Sequence, residues 1–186
     1  MTKFTAPRIA AAAALALSGL GAQAQVANSS YFDFKLGNSD FSARCGNFYR
    51  CDSTDSSYGV TYGQNLNPNA ALEFSYTDFG SAVRGGGDVK ASAASAAYVA
   101  KLPVDRVTFF GKVGVAYGWT DSRPATFTDV PSGKDSGFGP QVGLGASVDI
   151  NKQLALVAQW EQTHVPFKGE GQEHIDNTTI GLRVKF

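Results

Sequence analysis

Four ionisable side chains, Glu73, Lys112, Glu161 and Arg183, stand in alternating stretches, each opposite the large apolar groups of its stretch. Charges gathered on the enclosed face of a sheet must find partners, because an isolated ion away from water is strongly unfavourable. The chemistry open to such a set is electrostatic. It plugs an interior by satisfying buried charge, or it gates a passage. Glu161 and Arg183 fall on the last two stretches, where opposite charges on adjacent strands would attract.

Other residue types suggest chemistry and lack its spacing. His164 and His174 bracket Glu170 and Glu173, the groups a hydrolytic relay or a metal site would use. No compact ligand pattern results, and strand order places no serine beside either imidazole, so both histidines read as solvated loop residues. Gly137, Gly139 and Gly143 miss the dinucleotide fingerprint and precede no helix, while Arg84 to Asp88 lacks the Lys-Ser/Thr of a phosphate loop. No catalytic residue, metal or cofactor is expected. Cys45 and Cys51 lie close together with no histidine near them. In an exported chain they are expected as a disulfide rather than as free or metal-bound thiols. Closing so short a loop contributes about 2 kcal/mol and acts locally.

The elements that would position these residues are strands. Alternation of period two appears in eight segments, near residues 31–37, 57–64, 71–80, 91–102, 107–119, 138–150, 154–163 and 177–186. The fourth is rich in Ala and Ser, poor strand formers, and a helix is the alternative there. A helix would leave two sheet edges open, which favours the strand. Connections alternate long and short. The short ones, 65–70, 103–106 and 151–153, carry Asn, Pro and Asp, as turns do. The long ones are 38–56, 81–90, 120–137 and 164–176. Short turns on one side and long loops on the other match an outer-membrane barrel with both termini on the periplasmic side.

Alternation alone does not say which face is inside. One set of faces carries Phe109, Tyr117, Trp119, Trp160 and Phe186, and the other carries Gly, Ser, Thr, Gln and the charges. Eight strands enclose only enough space for side chains, which suits the smaller set. Turning Lys or Arg toward hydrocarbon would cost about 2–4 kcal/mol each at mid-depth. The reverse arrangement, a soluble barrel with an apolar cavity, would expose rows of Phe, Tyr, Val and Leu to water. Tyr58, Tyr62, Tyr76, Tyr117, Trp119 and Trp160 suit aromatic girdles, although aromatics also favour strands generally.

The N-terminus reads as an export signal. Lys3 and Arg8 precede a short apolar run, Ile9 to Leu20, and Ala22-Gln23-Ala24 offers a cleavage site. The run is too short for a spanning helix. Residues 1–24 are thus expected to be removed, leaving 25–186 as one barrel domain. Without Lys3 and Arg8, 14 basic side chains face 16 acidic ones, and no basic stripe points to nucleic acid.

The stretches EFSYTDFG (Glu73–Gly80), FFGKVGVAYGW (Phe109–Trp119), Gln159-Trp160-Glu161 and GLRVKF (Gly181–Phe186) resemble small outer-membrane barrels of the OmpA/OmpX-like superfamily. The resemblance spans nearly the whole chain after the leader and rests on order and spacing. It implies an all-β, eight-stranded antiparallel up-and-down transmembrane barrel in the bacterial outer membrane. Outer-membrane lipid and the barrel-assembly machinery are its implied partners, with Phe186 as the terminal assembly signal. An extracellular ligand would be met through the long loops. The implied role is structural or surface interaction, with a narrow gated pore and a lipid-processing enzyme as alternatives. OmpA-type relatives continue into a peptidoglycan-binding domain; this sequence stops at the barrel, so that function is not carried over. Val157 departs from the family, whose close members would carry a basic lumen residue there.

Overall fold

The computed structural model describes residues 30–42, 53–84, 87–123, 133–167 and 171–186. The expected leader and the Cys45–Cys51 pair lie outside the described residues. Eight strands follow in order: β1 (Ser30–Phe41), β2 (Thr54–Asn67), β3 (Ala70–Arg84), β4 (Gly87–Val104), β5 (Val107–Arg123), β6 (Gly133–Asp149), β7 (Leu154–Phe167) and β8 (Gly171–Lys185). Each pairs antiparallel with its sequence neighbours, and β8 returns to β1 to close the barrel. Closure removes every sheet edge, which a spanning sheet requires because hydrocarbon offers backbone groups no hydrogen bonds.

The register fixes the barrel's tilt. From Phe34 the paired residues run through Val60, Tyr76, Ala94 and Tyr117 to Phe138 on β6. In the other direction they run through Leu182 and Leu156 to Val148, ten residues further along the same strand. That offset is the shear which tilts the strands and sets the width of the lumen.

β4 is a strand along its full length, paired with β3 and β5. The helical alternative for this Ala- and Ser-rich segment fails because two neighbours need its backbone, a requirement that outweighs a weak local preference. Its inward Ala91 and Ala93 leave room for the Phe41 and Phe79 rings, with which they share one buried cluster.

The large apolar faces point outward: Phe109 is 53% exposed, Val113 61% and Leu182 38%. In a bilayer this surface meets lipid. At one end the turns are tight. Asn69 N–H donates to Asn67 Oδ1, Asn151 Oδ1 accepts from the Gln153 and Leu154 N–H groups, and Asp105 adopts a left-handed φ of 53°. The first described residue, Ser30, and Phe186 lie here, held together by two backbone bonds.

The opposite end departs from expectation. Residues expected as long loops continue as paired strands: Arg84 pairs with Gly87, Phe167 with Gly171, Ser122 with Gly133, and Asp40 with Thr54. Backbone ladders persist wherever two strands run together, whether or not one face is apolar. Sequence alternation reports only the part whose outer face meets lipid. One irregularity, between Asp78 and Ser81, includes Gly80 at a φ of 75° and turns Ala82 into the lumen.

Candidate functional site

The middle of the lumen holds six buried ions, Asp33, Glu73 and Glu161 against Lys35, Lys112 and Arg183, none more than 5% exposed. Three negative and three positive charges balance, so the set is neutral. Lys112 Nζ sits 2.9 Å from Glu73 Oε2 and 2.8 Å from Glu161 Oε1, and also donates to Gln159 Oε1. Arg183 donates through Nε and Nη2 to the two oxygens of Asp33, both at 2.7 Å, and through Nη2 to Glu73 at 3.3 Å. Such a two-pronged pair is among the strongest charge-assisted contacts. Lys35 Nζ approaches Glu161 Oε2 at 3.6 Å. Gln159 Nε2 donates to Glu161, and Tyr31 Oη donates to Glu73 at 2.7 Å while its ring lies 3.8 Å beneath the Arg183 guanidinium.

The sheet positions these groups by a repeated device. Tyr31 and Glu73 flank Gly63 on the strand between them, and Lys112 and Glu161 flank Gly143. A Cβ on Gly143 would meet the Glu161 and Lys112 Cγ atoms, both at 3.1 Å, and one on Gly63 would strike the Tyr31 ring. Missing side chains on the intervening strand let large polar groups meet across it.

All four residues singled out from sequence face the lumen, and Glu73, Lys112 and Arg183 are linked directly. The expected Glu161–Arg183 pair is not made. Glu161 lies opposite Asn177 and Arg183 opposite Ala155, so they occupy different levels of the cylinder. Asp33 and Lys35, both on the inner face of β1, complete the set. Closure supplies the missing link, because Asp33 and Arg183 are direct partners only when β1 and β8 adjoin.

Apolar layers bracket the ions. On the turn side Tyr31, Ala71, Val99, Phe110 and Val157 pack together. On the outer side Phe41, Phe79, Val89, Val165 and Ile175 fill the cylinder. Between the latter and the ions, Ser57 Oγ donates to Asn177 Oδ1 and Ser39 Oγ donates to the Phe79 carbonyl. The interior is therefore not uniformly polar, as its Gly, Ser and Thr content alone suggested. Val157, the departure from a basic lumen residue, belongs to the inner apolar layer.

At the outer end His164 and His174 pair directly across β7 and β8, with ring centres 5.8 Å apart. Ser42 Oγ lies 2.7 Å from His174 Nε2, an approach not apparent from strand order. Asp176 Oδ2 approaches the same nitrogen at 3.8 Å. A relay needs hydroxyl and carboxylate on opposite ring nitrogens, and here both address one. Glu170 lies outside the described residues. Phe186 turns outward and stacks on Phe32 at 5.7 Å. Tyr76, Trp119, Tyr117 and Phe138 form one contiguous aromatic cluster on the outer wall.

A closed eight-stranded cylinder, apolar toward its surroundings and ionic within, defines an outer-membrane β-barrel. The chain belongs to the outer membrane protein beta-barrel domain family, whose model matches residues 10–186. This places it in the bacterial outer membrane. Among solved structures, Neisserial surface protein A is similar with a TM-score of 0.66 and 14% identity, covering 87% of this chain and 100% of its own. Ail, the attachment invasion locus protein of Yersinia pestis, has a TM-score of 0.58 and 16% identity, covering 84% and 97%. The N-terminal barrel of Pseudomonas aeruginosa OprF has a TM-score of 0.56 and 14% identity, covering 84% and 98%. At such identities the likeness shows the fold. No curated protein matches the chain.

Proposed function

We propose that the protein is a closed, non-enzymatic surface-interaction barrel whose lumen is a structural plug and whose outer end meets ligands. The observation that carries this reading is the neutral six-ion network, buried and bracketed by two apolar layers. A conducting pathway needs a continuous wet route, and Phe110 with Tyr31 below and Phe41 with Phe79 above stand across it. Removal of the leader at residue 24, a Cys45–Cys51 disulfide in the first outer loop, and recognition of Phe186 by the assembly machinery belong to the same reading.

The outer wall carries chemistry suited to an anionic saccharide. Lys90, Asp121 and Lys134 lie in one cross-strand row, and Ser92, Trp119 and Ser136 in the next but one. With Asp135 they border a cleft of about 410 Å³, in which Asp121 is engaged by Arg123 at 3.1 Å and Asp135 Oδ1 accepts from the Ser136 N–H. Two lysines beside an indole face can hold sulfate or phosphate groups while the ring covers a sugar. Ail has been solved with the heparin analogue sucrose octasulfate.

Two experiments test the reading. In planar bilayers the wild type and a Lys112→Ala/Glu161→Ala variant should both lack steady conductance, because the apolar layers remain; a stable open level in either refutes the plug. In nanodiscs, Lys90→Met/Lys134→Met should weaken binding of sucrose octasulfate by about tenfold or more, with strong salt dependence. Equal binding by this variant removes the saccharide assignment and leaves the closed lumen standing.

A further inference from the structure

We infer that the periplasmic mouth of the lumen is a blind binding site for a phosphate-type oxyanion, centred on Lys101. The site is a polar cavity of about 120 Å³ lined by Lys101, Lys185, Arg183, Ser147, Thr108 and Tyr31. Its size suits a tetrahedral oxyanion or a single phosphate headgroup, and its inner end closes on Tyr31 and Arg183. A solute entering from the periplasm therefore stops there.

The strand register assembles the lining. Thr108 and Ser147 are direct partners on β5 and β6, and Tyr31 and Lys185 are direct partners on β1 and β8. Lys101 enters from β4, its backbone N–H donating to the Asn69 carbonyl of the β2–β3 turn. Four strands, β4, β5, β6 and β8, thus place two aliphatic hydroxyls and three cations around one small space, with Tyr31 of β1 at its inner end.

The three cations differ in their partners. Lys185 Nζ lies against Asp149 Oδ1 at 2.5 Å. Two of the three Arg183 guanidinium nitrogens are committed to Asp33 and Glu73. Lys101 Nζ donates to the neutral Asn65 Oδ1 at 2.6 Å, and among the described residues it forms no ion pair. A half-buried ammonium with an amide as its partner, beside two further cations, creates a positive potential in a narrow mouth. An oxyanion there accepts charge-assisted bonds from Lys101 and neutral ones from Ser147 and Thr108. This site lies at the opposite end of the barrel from the saccharide cleft, and neither depends on the other.

The test is titration of inorganic phosphate into the full barrel in phosphatidylcholine nanodiscs, read by the side-chain ammonium resonances of labelled lysines. The expected result is saturable perturbation of Lys101, with Lys101→Met weakening binding by at least about tenfold and Lys101→Arg retaining it within about threefold. Lys152→Met, on the exposed β6–β7 turn and outside the cavity lining, should bind as the wild type does. Each variant is first checked for the mobility shift between unheated and boiled samples. Should Lys101→Met not fold, Ser147→Ala/Thr108→Val serves in its place, with a loss of about threefold or more. Repeating the titration in phosphatidylglycerol nanodiscs separates the sources. Phosphate binding weakened by competition identifies a lipid headgroup as the occupant, and unchanged binding identifies the free anion. Absence of saturation, or wild-type affinity in Lys101→Met, overturns the proposal.

Discussion

Replacing Lys112 by Met tests whether the lumen network is dry. Lys112 is the cation shared by Glu73, at 2.9 Å, and Glu161, at 2.8 Å. Without it, three carboxylates face two cations. Glu73 retains Arg183 at 3.3 Å and the Tyr31 hydroxyl, but Glu161 is left with Lys35 at 3.6 Å and the neutral amides of Gln159 and Gln141. Removing one partner from a buried ion set costs about 3–5 kcal/mol, because the charge left behind is uncompensated. That shifts the unfolding equilibrium by roughly two to three and a half powers of ten. If water filled the lumen, the same ions would behave as exposed pairs worth about 0–1 kcal/mol. The assay is reversible urea unfolding in detergent or vesicles, followed by the fluorescence of Trp119 and Trp160. Lys112→Met/Glu161→Gln restores neutrality, so it should cost less than the sum of its single variants by about 1–3 kcal/mol. A Lys112→Met cost below about 1 kcal/mol, or simple additivity in the double variant, would refute a dry, coupled network.

Gly63→Ala should destabilise the barrel by about 1–3 kcal/mol, since the new methyl strikes the Tyr31 ring and loosens its hold on Glu73 and Arg183. Gly111→Ala, whose methyl meets Leu144 Cδ2 at 3.4 Å on the outer wall, should change stability by less than about 0.5 kcal/mol in the same unfolding assay. Phe186→Ala keeps both backbone bonds to Ser30 and loses only the ring on Phe32. It should refold normally in detergent yet reach the outer membrane in reduced yield, measured by fractionation; equal yields would remove the assembly role. Cys45→Ser/Cys51→Ser should shift barrel stability by less than about 0.5 kcal/mol while losing a disulfide seen by non-reducing mass spectrometry, because the constraint is local to one loop.

The strands inside the lipid band were legible because one face of each is lined by large apolar groups. Phe32, Phe34 and Leu36 on β1, or Val142, Leu144 and Val148 on β6, announce both the strand and its outward side. The outer extensions were not legible. In Ser81 to Lys90 and His164 to Asp176 the apolar groups Ala82, Val89, Val165 and Ile175 turn into the lumen rather than toward lipid, so no outward apolar row marks the strands there. In the lumen, the inward position of each charge followed from parity alone. Their partnerships required register and closure: nothing local joins Asp33 to Arg183, which are 150 residues apart and adjacent only because β8 returns to β1. Inward Phe41, Phe79 and Phe110 were obscured for a simpler reason, since apolar residues on the minority face look like irregularities in an alternating strand.

The layered lumen explains why ligand chemistry is found at the barrel's ends. A neutral set of ions is most strongly coupled when water is excluded, because attraction at a given distance rises as the dielectric falls. Phe110, Val99 and Val157 below, with Phe79, Val165 and Ile175 above, provide that exclusion. The same packing commits the three carboxylates, Lys35 and Lys112 within the set, and of the six ions only Arg183 reaches a cavity at the mouth. At the outer rim, Lys90 and Lys134 flank Trp119 in an open cleft; at the periplasmic mouth, Lys101 has only an amide for company. These exposed or half-exposed cations can exchange water for an anion without dismantling the core. Loss of the central network should therefore appear in stability, and loss of the end lysines in binding, with little crossover between the two measurements.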